Sequence, residues 1–246
     1  MRLLLDLGNT RVKWGLVDAG GGVAGVAAHN WDAGLATALH GAWSRLPRPR
    51  GVWAASVVDA DREARIAAAL PPAFGAVNWV RTPTEGCGVR IAYADPASMG
   101  VDRFLGMLAA YADGCAPCVL ASAGTAMVLD ALAADGRHLG GLIAPGARLM
   151  QQSVLDATAR VRPQSSGKVV MAADTTADAL ASGCWQACAA LVDRFATGMA
   201  EALGGDPGVL LGGGDADLLA PLVEHAVTPH PNAVLKGLAV WSESAS

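Results

Sequence analysis

The feature that most constrains this chain is a weak internal repeat. Asp6-Leu-Gly8-Asn-Thr10 follows a short apolar run, and Ser122-Ala-Gly124-Thr125 follows another 116 positions later. Each is succeeded by a run that contains an aspartate, Asp18 in the first copy and Asp130 in the second. With 246 residues the chain is long enough for one large domain or two smaller ones. Two half-chains built on one plan favour two lobes, residues 1–114 and 115–246, each with its own core.

The patterning within each half supports this. Leu3 to Leu7 reads as a strand, Gly8 to Thr10 as a turn, and Val12 to Asp18 as a second strand in which Val12, Trp14 and Leu16 alternate with Lys13 and Gly15. A third strand follows from Val23 to Ala28. Asp32 is expected to cap a helix ending near Arg45, Val52 to Val58 to be a strand, Asp59 to cap a helix to Leu70, and Val77 to Arg81 to be a strand. Thr82 to Met99 reads as a loop before a helix from Asp102 to Asp113. The second half repeats the meander: strands Val119 to Ser122, Ala126 to Ala133 and His138 to Ile143, then helices from Arg148 to Thr158 and from Thr176 to Leu203. Gly208 to Leu211 is a strand, and Pro231 to Trp241 a final helix. Meandering strands followed by strand, helix, strand predict an α/β fold with mixed sheets covered by helices.

Composition excludes several classes. At 52% hydrophobic and 16% charged residues the chain is not intrinsically disordered. A net charge of -4 offers no general attraction to nucleic acid or anionic lipid. The uncharged window from Gly114 to Leu129 is too short to span a bilayer and contains Pro117 and Gly124, so it reads as buried sheet. No secretory leader is evident, and five cysteines are an odd number, so the expectation is a cytoplasmic chain with reduced thiols. Cys115-Ala-Pro-Cys118 has a redox or zinc spacing, but it leads into a strand rather than a helix; Cys184 and Cys188 read as core.

Three glycine-containing segments and one acidic one carry chemical promise. Gly8-Asn9-Thr10 can present backbone amides and a hydroxyl to phosphate oxygens, with Lys13 nearby and Asp6 placed to hold a magnesium ion or its water; an ordinary turn would look the same. Gly124-Thr125 offers a second such turn, and Gly212-Gly213-Gly214 a flat surface for a base or ribose or simply a tight turn. In Gly100-Val101-Asp102-Arg103 the carboxylate is either a proton acceptor or a helix cap, and the guanidinium either an anion clamp or surface charge. No GxGxxG, GxxxxGK[ST] or GxSxG is present, and the five histidines have no ligand spacing, which disfavours Rossmann and P-loop sites, hydrolase triads and histidine-bound metals.

Together these motifs resemble the type III pantothenate kinases of the acetate/sugar kinase, Hsc70 and actin superfamily. Asp6-Leu-Gly-Asn-Thr-Arg-Val-Lys13 is similar to the first phosphate motif of that family, Gly100 to Arg103 to its substrate motif, and Gly124 to Asp130 to its second phosphate motif. Gly140 to Gly146 resembles the strand and turn that follow, Thr175 with Ala179 to Gly183 a substrate threonine before a long helix, and Leu211 to Asp215 the adenosine loop. The resemblance implies two related ribonuclease-H-like lobes, each a mixed five-stranded sheet with flanking helices, and a nucleotide cleft between them. It implies transfer of the ATP γ-phosphoryl group to the 4'-hydroxyl of pantothenate, the first step of coenzyme A synthesis. Asp102 would be the general base and Asp6 would organise magnesium, directly or through water. Asp6, Leu7, Gly8, Asn9, Thr10, Arg11, Val12, Lys13, Thr125 and Gly213 would bind ATP; Tyr93, Gly100, Val101, Asp102, Arg103 and Thr175 would bind pantothenate. A homodimer is implied, with no nucleic acid or membrane partner.

Ser122 departs from the pattern. Many members have an aspartate there, tied to a monovalent cation such as potassium or ammonium, so a neutral hydroxyl predicts weak dependence on that cation or none. Two other readings stand beside the kinase: a transcription-associated accessory regulator of the same fold, as relatives were first described as Bvg accessory factors, and another small-molecule kinase of the superfamily.

Overall fold

The computed structural model describes every residue except Ala19, Gln164 and Ser246. By backbone contacts it divides into two compact units, Met1–Gly114 with Asn232–Ser246, and Cys115–Pro231.

The first unit is built on a five-stranded sheet. Strands β1 (Arg2–Leu7), β2 (Arg11–Val17) and β3 (Val23–Asn30) form an antiparallel meander, while β4 (Val52–Ser56) and β5 (Val77–Val80) run parallel to β1, in the order β3-β2-β1-β4-β5. Alternation along β1 decides what each face carries. Leu3, Leu5 and Leu7 join Val12, Trp14, Val52 and Ala54 in a core closed by Leu35, Leu39 and Trp43 of helix α1 (Leu35–Trp43) and Ile66 of α2 (Ala60–Ala69). Leu4 and Asp6 therefore face the other way, the side on which helices α3 (Val101–Ala112) and α7 (Ala233–Ser244) pack on β1 and β4.

The second unit repeats the plan. Strands β8 (Cys118–Ala123), β9 (Ala126–Leu132) and β10 (His138–Pro145) meander, and β11 (Gly208–Gly212) and β12 (Val227–Pro229) run parallel to β8, giving the order β10-β9-β8-β11-β12. Helices α4 (Ala147–Ala157), α5 (Thr176–Leu203) and α6 (Ala216–Leu219) complete it. Val119, Ala121, Met127, Leu129, Val209 and Leu211 pack on a stripe of α5 formed by Cys184, Trp185, Cys188, Ala189, Val192 and Ala196. The cysteine pair on α5 is thus core. The uncharged window from Gly114 to Leu129 becomes β8 and the start of β9, and among the described residues no helix is long and apolar enough to cross a membrane.

Several local expectations are corrected. Asp59 does cap α2, accepting from the Arg62 amide at 2.9 Å. Asp32 does not cap α1: its Oδ1 accepts from the Gly34 amide two residues on, and the helix begins only at Leu35. The segment read as a loop after β5 holds a small hairpin, β6 (Glu85–Gly86) and β7 (Val89–Arg90), turned by Cys87 and Gly88 with φ of 48° and 86°. The terminal helix, grouped by the sequence with the second half, packs in the first unit. Leu235 and Leu238 are buried, Trp241 meets Phe104 of α3 edge-on at 5.6 Å, and a Cβ on Gly237 would lie 2.1 Å from the Leu105 carbonyl oxygen, so the two helices touch backbone to backbone.

Candidate active site

In the first unit the β1–β2 register sets Asp6 opposite Lys13, and cross-strand partners share a face. That is the face α3 covers, which brings Asp102, in the first turn of α3, within electrostatic range of Asp6. Burial pushes the Asp6 carboxyl up to about 6; Lys13 works against this, and the Asp102 charge adds to it. Two carboxylates thus lie within electrostatic range of each other, and one ammonium group within range of Asp6.

Helix α3 starts at the end of a braced loop. Thr82 Oγ1 donates to the Met99 carbonyl at 2.7 Å, and Gly100 is the N-cap. A Cβ at Gly100 would stand 2.5 Å from Asp102 Oδ1, so glycine there lets the carboxylate lie close to the backbone, where it also accepts from the Arg103 amide at 2.9 Å. Arg103 is buried. Its Nη1 donates to the Tyr93 hydroxyl at 2.9 Å and its guanidinium carbon lies 5.4 Å from the Tyr93 ring centroid, so the fork is held by both contacts. Beside these groups, at the carboxyl ends of β4 and β5, is a cavity of about 600 Å³ walled by Ser56, Val57, Thr82, Asp95, Gly100 and Val101 among others. The structure thus gathers Asp6, Lys13, Tyr93 and Gly100 to Arg103 within one unit.

In the second unit the Gly124-Thr125 turn is braced by backbone. The Gly146 amide donates to the Thr125 carbonyl at 2.9 Å, and a Cβ at Gly146 would fall 2.0 Å from the Gly124 carbonyl oxygen. Gly213, at φ 98°, passes equally close to Ala123, where a Cβ would lie 2.1 Å from the carbonyl oxygen. Asp215 then ties three elements: its amide donates to the Ala123 carbonyl at 3.0 Å and its Oδ1 pairs with Arg148 Nε of α4 at 2.9 Å. Neither Asp215 nor Arg148 was legible as a brace in sequence. Ser122 is exposed on β8, opposite Val128 and Gly212. Thr175 lies in this unit as the N-cap of α5, accepting from the Asp178 amide at 3.1 Å.

The remaining sequence candidates fall to the fold. Burial, with the neighbouring Cys115, pushes the Cys118 thiol up to about 12, which disfavours a reactive thiolate there at neutral pH. Among the described residues no group of three or more His, Cys, Asp or Glu side chains could hold a metal.

This geometry meets a family pattern that describes type III pantothenate kinases and matches residues 2–198. The chain belongs to the type III pantothenate kinase family. Proteins named type III pantothenate kinase from Aromatoleum aromaticum and Xanthomonas axonopodis pv. citri are 40% and 41% identical to it, over 98% and 99% of this chain and 97% and 98% of their own. A solved Baf-family structure from Campylobacter jejuni superposes with a TM-score of 0.61 at 16% identity, covering 99% of this chain and all of that one, which shows a shared fold. The family match favours the kinase reading over the regulator one.

Proposed function

We propose that this chain transfers the γ-phosphoryl group of ATP to the 4'-hydroxyl of pantothenate, the first committed chemistry of coenzyme A synthesis, with Asp102 as general base. The observation that carries the assignment of roles is the Asp6–Asp102 pair beside Lys13, next to a cavity walled by Gly100 and Val101. Phosphoryl transfer is mostly positioning and charge neutralisation. The pantothenate oxygen bonds to the γ-phosphorus as the bond to the ADP oxygen breaks, and the hydroxyl proton passes to Asp102. Arg103, fixed by Tyr93, pairs with the pantothenate carboxylate, and the family resemblance assigns Thr175 to the same substrate. Gly8 to Lys13 and Thr125 hold the phosphates, and Gly213 lies against the nucleoside.

Magnesium fits the donor set. It is commonly held by one or two carboxylates plus substrate phosphates, and a cation would relieve the burial and repulsion that push Asp6 upward. Asp6 would hold it, directly or through water, and the ion would neutralise phosphate charge. Ser122 in place of a carboxylate argues for weak dependence on potassium or none; equal rates with and without potassium would support this, and a strict requirement would refute it. A homodimer is supported by apolar side chains that the second unit leaves exposed, Ile143 on β10, Leu149 on α4 and Met171. A cytoplasmic setting accords with five free cysteines.

A coupled ADP-release assay over a panel of hydroxy acids and sugars tests the reading. Turnover with pantothenate and at least a hundredfold loss in Asp102→Asn are expected. Turnover with none of the panel would refute the kinase assignment, and full activity of the variant would refute Asp102 as base.

A further inference from the structure

The two phosphate turns are braced from the same place in the repeat. In the first unit β2 begins at Arg11, paired with Asn30, the last residue of β3; in the second β9 begins at Ala126, paired with Pro145, the last residue of β10. Trp31 and Gly146, the next residues in each copy, are therefore equivalent. Each donates to a carbonyl of its own turn: Gly146 through its amide to Thr125, and Trp31 through its indole Nε1 to Gly8, at 2.8 Å. The indole is itself held, with the Arg62 guanidinium carbon 5.2 Å from its ring centroid and Arg62 Nε 3.6 Å from Asp59 Oδ2.

We infer that Trp31 is a positioning residue for the nucleotide: by holding the Gly8 carbonyl, its indole N–H aims the Gly8–Asn9 peptide at the phosphates. In a trans peptide the C=O and the following N–H point in opposite directions. With the Gly8 oxygen held against Trp31 and the Gly8 amide donating to the Arg11 carbonyl at 3.1 Å, the Asn9 N–H is turned away from the indole. Gly8 has no side chain to resist rotation of that peptide, so the indole supplies the restraint.

The inference rests on the ATP role assigned to this turn, and the test separates the two. Trp31→Phe keeps an aromatic ring and removes the donor; 3-benzothienylalanine at the same position keeps the bicyclic shape and also lacks the N–H. Binding of magnesium AMP-PNP without pantothenate, steady-state KM and kcat for both substrates, and the melting temperature are measured on each. One neutral hydrogen bond corresponds to about 3- to 10-fold. Both variants are expected to weaken AMP-PNP by that factor and raise KM for ATP likewise, with KM for pantothenate unchanged and the melting temperature lower by no more than a few degrees. Wild-type nucleotide affinity in the benzothienyl variant would overturn the inference, as would a larger fall in melting temperature with all constants declining together. If the wild type binds AMP-PNP but does not phosphorylate pantothenate, the substrate reading fails while the binding comparison still decides the role of Trp31.

Discussion

Replacing Asp6 by asparagine should stabilise the protein while disabling it. Asp6 is raised from an ordinary 3.8 to about 6, so the folded state holds its proton more tightly than the unfolded one. The stability associated with the neutral form is complete below about pH 3.8, is lost as pH rises through about 6, and leaves a constant penalty above that. The shift of about two pKa units corresponds to about 3 kcal/mol at pH 8 and, because the window is then barely entered, to about 1 kcal/mol near pH 4.5. Asparagine is a neutral isostere, so Asp6→Asn should gain most of that difference, less what Lys13 loses as a partner. For a chain of this size that is roughly 5–10 °C in melting temperature at pH 8 and a few degrees at pH 4.5. Scanning calorimetry at the two pH values, with and without magnesium ATP, reads it. The variant should melt higher than the wild type without ligand, gain less from magnesium ATP, and have lost at least a hundredfold in kcat. A variant less stable than the wild type at pH 8, or one whose gain is the same at both pH values, would refute the reasoning from desolvation of Asp6.

Other consequences follow from single contacts. Asp59→Ala removes the α2 cap and should lower the urea midpoint measurably, whereas Asp32→Ala, which caps no helix, should lower it less. Gly146→Ala places a Cβ 2.0 Å from the Gly124 oxygen and must displace the second turn; a rise in KM for ATP of about tenfold or more is expected, with about 1–3 kcal/mol lost in stability. Cys118, buried with its thiol near 12, should resist iodoacetamide at pH 8 under native conditions and react after unfolding, as peptide mass spectrometry would show. In the proposed homodimer, Ile143→Glu on β10 should shift light-scattering mass from dimer to monomer; a monomeric wild type would refute the dimer, and an unchanged dimer mass would remove that strand from the interface.

What the sequence could reveal depended on the range of the interaction. Helix α5 was legible because Leu180, Cys184, Leu191 and Phe195 recur at helical steps, and its bounds are those observed; that Thr175 caps it emerges only from the structure. The meanders were legible from alternation. Strand β12 was not: three residues ending in Pro229 resemble a loop, and its place at the sheet edge is what allows a proline. The stripe of α7 shows that one face is apolar but not which core receives it; the close approach of Gly237 to Leu105 decides that, and nothing local encodes it. The candidate site divides the same way. Alternation along β1 separates Asp6 from the leucine core, yet its encounter with Asp102 spans most of a lobe and was expected only through the family resemblance. Trp31 reaches Gly8 across 23 positions with no motif around it.

The repeat also shows how one scaffold can be made to do two things. Cross-strand positions beneath the first turn carry Asp6 and Lys13, whereas the equivalent stretch of the second carries Ser122 and Val128. A partly buried carboxylate is costly, and the first unit keeps one within range of a second; the other unit carries no counterpart there. The braces differ in the same sense. The second turn is held by backbone, with Gly146 and Gly213 so close to the turn's carbonyls that no side chain fits, and that geometry changes little with sequence elsewhere. The first is held through a tryptophan side chain stacked on an arginine, which substitution can loosen by degrees. Variation in nucleotide affinity among related chains should therefore track residues around Trp31 and Arg62 more than those around Gly146, where substitution breaks the turn outright.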